Sequence, residues 1–159
     1  MATIPLLQFM CKLLECEIDD IAEYLFFPFN REKVDSLLKG LWLQTTYKNR
    51  QGSKHLFCYS GLSIQDAKHL KAYKGFLGIT VAQHFYVRHR IRLNHYNLPC
   101  VIEYTSQGDA HYYPIELLEV VIPFRFDLTL KEKADKKSNK HSPSFTHMIN
   151  NFVKKFYFE

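Results

Sequence analysis

"GITVAQHFYVRHRIRLNHYNLPC", residues 78–100, reads first as a helix and then as the entry to a strand. From Thr80 to Ile91 the apolar positions Val81, Ala82 and Phe85 form one narrow stripe on a helical net, and Thr80 is placed to cap the start. The rest of the turn surface is His84, Tyr86, Arg88, His89 and Arg90. That is more cationic and more aromatic than solubility requires. The helix has a core side one residue wide and a large remainder that must face something else.

The charge distribution narrows what that is. Residues 47–95 hold Lys48, Arg50, Lys54, Lys68, Lys71, Lys74, Arg88, Arg90 and Arg92 against Asp66 alone. The stretches on either side, 1–46 and 96–130, carry an excess of acids. The formal net charge of +5 over 159 residues hides this basic middle. Clustered cations are what neutralising phosphates requires, so the pattern is that of a nucleic-acid footprint; a cationic face without a ligand would look the same by charge alone.

Working outward, the chain alternates helical and strand-like segments. Leu6, Phe9, Met10, Leu13 and Leu14 lie on one helical face behind Pro5. A second helix is expected from Asn30 as N-cap to Gly40, burying Val34, Leu37 and Leu38. From Leu41 the period becomes two: "LWLQTTY" and "HLFCYS", joined by the polar "KNRQGS", predict a β-hairpin. Residues 61–74 are poorly periodic, and "GFLGI", 75–79, can form a short strand. "PCVIEY", the turn "TSQGD" and "HYYPIELLEVVIP" add two strands, with Pro114 marking an edge or bulge. "KEKADKKSNK" is a charged, flexible linker over 131–141. An amphipathic helix through Phe145, Met148, Ile149, Phe152, Val153 and Phe156 occupies 142–159. The expected class is α+β: a small OB- or SH3-like barrel with an inserted strand–helix module at about 61–95 and flanking helices.

Cys11, Cys16, Cys58 and Cys100 show no CxxC pairing, which predicts reduced thiols in an intracellular protein. No run approaches the roughly 18–20 apolar residues of a membrane span, and no signal pattern opens the chain, so a soluble protein is expected. Met1-Ala2 reads as an expression start on an excised fragment. A glycine-rich phosphate loop, GxSxG and HExxH are all missing from the sequence. His84 and His89 are five apart and so do not share one helical face, and neither Cys58 nor Cys100 has a partner at ligand spacing. A non-catalytic protein without metal or cofactor is expected.

"TVAQHF", "LPCVIEY" and "HYYPIELLEVV" resemble the PAZ domain of Argonaute proteins. "IPLLQFMCKLL" is similar to the family's opening helix, "LLKGL" to the entry into its first barrel strand, and "SPSFTHMI" to the helix that leads out of the domain. The resemblance runs in order along nearly the whole chain and puts the domain at 1–130. It implies a module that holds the 3′ end of a single-stranded small (guide) RNA, largely independently of sequence, within an Argonaute protein of RNA silencing. The remaining domains of that protein are the implied partners, the cytoplasm the implied location, with the nucleus as the alternative. Hydroxyls and imidazoles would bind the terminal phosphodiester, and rings would pack on the last bases and sugars.

Carried over by position, the resemblance implies an RNA-binding set of Tyr47, Lys54, His55, Tyr73, His84, Arg88, His89 and Tyr113. Tyr47 stands at a usual histidine, and His55, His84 and His89 stand at usual tyrosines. Arg88 takes a usual lysine, and Tyr113 the leucine before the proline that packs on the terminal sugar. Ser53 departs from a usual arginine, with Lys54 adjacent to serve instead. The ring that stacks on the terminal base falls between Ala67 and Tyr73: strict spacing from the helix lands on Ala67, and a shift lands on Tyr73. The alternative is a degenerate PAZ domain retained as a structural or protein-interaction module, which Ser53 and a missing ring would favour. A generic OB-like binder of single-stranded DNA is the third reading.

Overall fold

The computed structural model describes residues 2–122. The linker expected at 131–141 and the helix expected at 142–159 lie outside the described residues. The described chain runs β1 (Ala2–Pro5), α1 (Leu6–Leu14), α2 (Ile21–Phe26), α3 (Pro28–Leu38), β2 (Trp42–Lys48), β3 (Lys54–Cys58), β4 (Leu62–Asp66), α4 (Val81–His89), β5 (Pro99–Tyr104), β6 (Ala110–Pro114) and β7 (Leu118–Ile122). Within residues 2–122, no helix is long and apolar enough to cross a membrane.

Two antiparallel sheets form: β1-β7-β2-β3 and β4-β5-β6. The mixed helix-and-sheet class agrees with expectation, but no closed barrel is found among the described residues. The reason lies at the end of β6. Pro114 cannot donate to a ladder, and a 3₁₀ turn over Ile115–Leu117 separates β6 from β7, which enter different sheets. The single strand anticipated over 111–123 is therefore two.

α1 packs on β7 and buries Leu6, Leu7, Phe9, Met10 and Leu14, while Pro5 closes β1 rather than sitting in the helix. α3 starts two residues before Asn30, with Pro28 at its first position, and Asn30 instead donates its side-chain amide to the Tyr24 carbonyl at 2.8 Å. Val34 and Leu38 are buried as expected; Leu37 is only partly so. The β2–β3 hairpin forms with Leu43 opposite Phe57.

Residues 61–95 depart most from expectation. "GFLGI" is not a strand: positive φ at Gly75 (83°) and Gly78 (65°) breaks the extended run, leaving one bridge between Lys71 and Thr80. The strand of this region is β4, which pairs with β5. α4 is as read. The Thr80 hydroxyl accepts from the Gln83 N–H at 3.2 Å, and the Gln83 side chain accepts from the Thr80 N–H at 2.9 Å. Thr80→Ala is therefore expected to cost about 1 kcal/mol of stability, read as a lower urea midpoint with an unchanged slope.

Val81 and Phe85 carry the buried stripe of α4 into a small core with Ala67, Ala72, Leu93 and Cys100. Burial pushes the Cys100 thiol up to about 12, so it behaves as a packing residue rather than a nucleophile. The four cysteines are free.

Candidate nucleic-acid interface

A cleft of about 690 Å³ lies where the β2–β3 hairpin, the β5–β6 hairpin and α4 meet. Tyr47, His55, Tyr73, His84, Arg88, His89 and Tyr113 all line it. Three local features aim these side chains. In β2 the register shifts between Gln44 and Lys48, and the buried Thr45 hydroxyl repairs the interrupted ladder. It accepts from the His55 N–H and donates to the Tyr47 carbonyl, both at 2.9 Å. On β3, His55 and Phe57 share a face and stack with Tyr113 of β6, the Phe57–Tyr113 centroids being 4.7 Å apart. This ring stack bridges the two sheets.

The third feature is the α4 side. Phe85 lies at the centre, with Tyr47 edge-on at 5.5 Å and His89 stacked at 5.2 Å. His84 and His89, which helical arithmetic puts on different faces, have ring centroids 5.6 Å apart. Both lean towards Phe85, one from the preceding position and one from a turn later. Tyr73 and Lys74 hold left-handed backbone, φ 51° and 55°, in the tight turn ahead of Gly75. The Tyr73 hydroxyl meets His84 Nδ1 at 2.8 Å.

Burial and the neighbouring Arg88 hold both imidazoles below the ordinary histidine range, and His89 adds to the effect on His84. When the Tyr73 hydroxyl donates to Nδ1, a neutral His84 carries its proton on Nε2, as a donor. The cleft thus offers hydroxyl, imidazole and guanidinium donors among exposed and half-buried rings. That combination suits a phosphate-linked, base-bearing strand.

No family model matches the sequence. Solved structures do. The PAZ domain of a Drosophila Argonaute in complex with 3′-end 2′-O-methylated RNA superposes with a TM-score of 0.61 at 19% identity, covering 76% of this chain and 100% of that one. Two structures of the Drosophila Argonaute 2 PAZ domain behave alike: one concerned with 3′-end recognition of nucleic acids (TM-score 0.57, 19% identity, 76% of this chain and 95% of that one), the other with nucleic acid binding (TM-score 0.58, 20% identity, 75% and 99%). The chain has the fold of an Argonaute PAZ domain.

On this PAZ fold the expected residues divide. Lys54 is the one that does not line the cleft: its amine is held by Glu119 at 3.1 Å. Ala67 is buried in the core, whereas Tyr73 is 48% exposed at the rim, so of the two positions considered for a stacking ring only Tyr73 presents one. Ser53 is exposed and bonds back to Asn49.

Arg50, Lys74, Glu103, Asp109 and His111 also line the cleft and escaped the sequence reading as site residues. Arg50 and Lys74 stood in the basic stretch but carried no motif. Register arithmetic was the available signal for the others. With Tyr104 opposite Ala110, Glu103 falls opposite His111 and Val101 opposite Tyr113, which brings Glu103 and His111 onto the face of Tyr113. Lys74 and Asp109 pair at 2.5 Å, whereas Arg50 and Arg88 make no ion pair among the described residues.

The depressed imidazoles have a consequence for stability. An unfolded histidine titrates at about 6.5, and His84 and His89 titrate lower in the fold. Below that range the unfolded chain binds more protons, so their contribution is complete above the unfolded value and is lost as pH falls through the folded values. A His84→Gln, His89→Gln protein should therefore lose less Tm between pH 7.5 and pH 5 than the parent chain. Equal losses would show that these rings do not titrate as described.

Proposed function

We propose that this domain binds the 3′ end of single-stranded small RNA, largely without reading sequence, as a non-catalytic module of an Argonaute protein in RNA silencing. The observation that carries this reading is the convergence of Tyr47, Tyr73, His84, Arg88, His89 and Tyr113 on one cleft. These residues are spread over 67 positions of sequence, and a solvated cationic face has no reason to gather them around rings. Arg50 and Arg88 supply charge for backbone phosphate, the imidazoles and Tyr47 supply directed hydrogen bonds, and Tyr73 and Tyr113 supply faces for a base and a sugar. The solved PAZ domains of like fold, which bind nucleic acid at a 3′ end, support the same reading.

The experiment is site-mapped crosslinking with a short RNA carrying a photoreactive 3′-terminal nucleotide. Crosslinks are expected at Tyr73, His84 and His89 themselves. Crosslinks confined to the opposite side of α4, at Tyr86 and Tyr96, would overturn the assignment.

A second reading is a PAZ-like module that no longer holds RNA and serves as a structural or protein-interaction unit. Two observations favour it: Lys54 is engaged by Glu119, and the Glu103 carboxylate stands inside the cleft. Absence of any crosslink at concentrations that saturate a control RNA-binding domain would support it.

A further inference from the structure

Glu103 is the feature of the cleft that phosphate binding does not absorb. Its carboxylate, 19% exposed, receives His55 Nε2 at 2.8 Å on one oxygen and 3.0 Å on the other. The Tyr113 hydroxyl donates to Oε1 at 3.3 Å, and His111 Nδ1 lies 3.9 Å from the same oxygen. Neither Lys nor Arg pairs with it among the described residues. The cleft therefore has two chemically different walls. On the α4 side, His84 and His89 offer donors and Arg88 adds positive charge. On the β5–β6 side stands an acceptor that repels oxyanions and still has room for further donors.

A phosphodiester seats on the first wall. What suits the second is a donor of hydrogen bonds attached to something that can rest on the Tyr113 ring. The end of an RNA strand offers this: a ribose with adjacent 2′- and 3′-hydroxyls, one sugar beyond the last phosphodiester. We propose that Glu103 is a specificity-determining residue that accepts hydrogen bonds from the hydroxyls of the terminal ribose and excludes strands ending in a 3′-phosphate. This rests on the 3′-end reading above. His55 and Tyr113 hold the carboxylate in place, which reassigns His55 from phosphate ligand to positioning residue. A 3′-phosphate would bring a second anion against the carboxylate, and like charges brought together in a partly desolvated site are strongly discriminated against.

The test compares one short RNA with three ends, a free 2′,3′-diol, a 2′-deoxy-3′-hydroxyl and a 3′-phosphate, against the parent protein and Glu103→Gln. The parent should bind the diol about tenfold or more tighter than the 3′-phosphate, the deoxy end falling between. Glu103→Gln, of the same shape but uncharged, should gain about tenfold for the 3′-phosphate while the diol changes about threefold or less. A gain of binding cannot come from misfolding. An unchanged ratio in the variant would overturn the role of Glu103 and leave 3′-end binding intact, since a steric block alone would then explain the preference. If the parent binds no diol-ended RNA, both the 3′-end reading and this proposal fall.

Discussion

Phe85→Ala is expected to destabilise the domain by about 3–5 kcal/mol, the range for emptying a buried aromatic site. Phe85 is 2% exposed and joins Ala67, Val81, Leu93 and Cys100 in the core under α4. Its own rigid ring also supports the cleft: Tyr47, His84 and His89 all pack against it at centroid distances of 5.2–5.5 Å. Removing it takes away the surface on which three proposed RNA contacts are oriented. RNA binding should fall even at temperatures where the variant remains folded. With total stabilities of about 5–15 kcal/mol for domains of this kind, the loss is a large share and should lower Tm by about ten degrees or more. Val87→Ala on the same helix is the control. Val87 is 65% exposed, and its truncation should change stability by about 0.5 kcal/mol or less. Equal effects of the two changes would contradict the placement of α4.

The second large effect is on affinity. Arg50 and Arg88 line the cleft without ion-pair partners among the described residues, so their guanidinium groups are available to phosphate. Each Ala substitution should cost about 1–2 kcal/mol of RNA binding, the scale of a charge-assisted hydrogen bond, and the double variant about 2–4 kcal/mol, which is roughly 30- to 1,000-fold in Kd. The logarithmic salt dependence on single-stranded RNA should shallow by about 0.7 per phosphate contact removed. Lys54→Ala should do far less, because its amine already satisfies Glu119. A Lys54 effect as large as that of Arg88 would mean the strand runs along the outer face of the hairpin.

How far the sequence was legible can be traced to particular residues. α4 could be read because its cap, Thr80, and its stripe, Val81 and Phe85, agree with each other and with the packing. The β2–β3 hairpin could be read because its period-two pattern flanks a polar turn. β4 could not: its apolar Ile64 is 93% exposed, while the residue turned inward is Ser63. That serine is satisfied by donating to the Gln65 carbonyl and accepting from the Cys100 N–H, so the usual alternation is inverted. α2 was missed because only Ile21 and Leu25 face the core, while Phe26 and the following Phe27 lie outside it. The cleft was legible where residue type and position in the chain coincide, at Tyr47, His84, Arg88, His89 and Tyr113. It was illegible where a long side chain has several places to go, as for Lys54, and where an acid sat in a stretch read only for its net charge, as for Glu103. Charge counting averages over neighbours in sequence; the cleft is assembled by neighbours across strands.

The central claim is that the cleft captures a strand terminus rather than any stretch of single strand. The most direct measurement is the affinity of the domain for one RNA in linear form with a free 3′ hydroxyl and in covalently closed circular form, at the same salt. With a 5′-phosphate on the linear form, the two share every phosphate and base and differ in having free ends. The account predicts that circularisation weakens binding by about tenfold or more, since the terminal ribose contacts are lost while the backbone charge remains. Equal affinity for the two forms would contradict it.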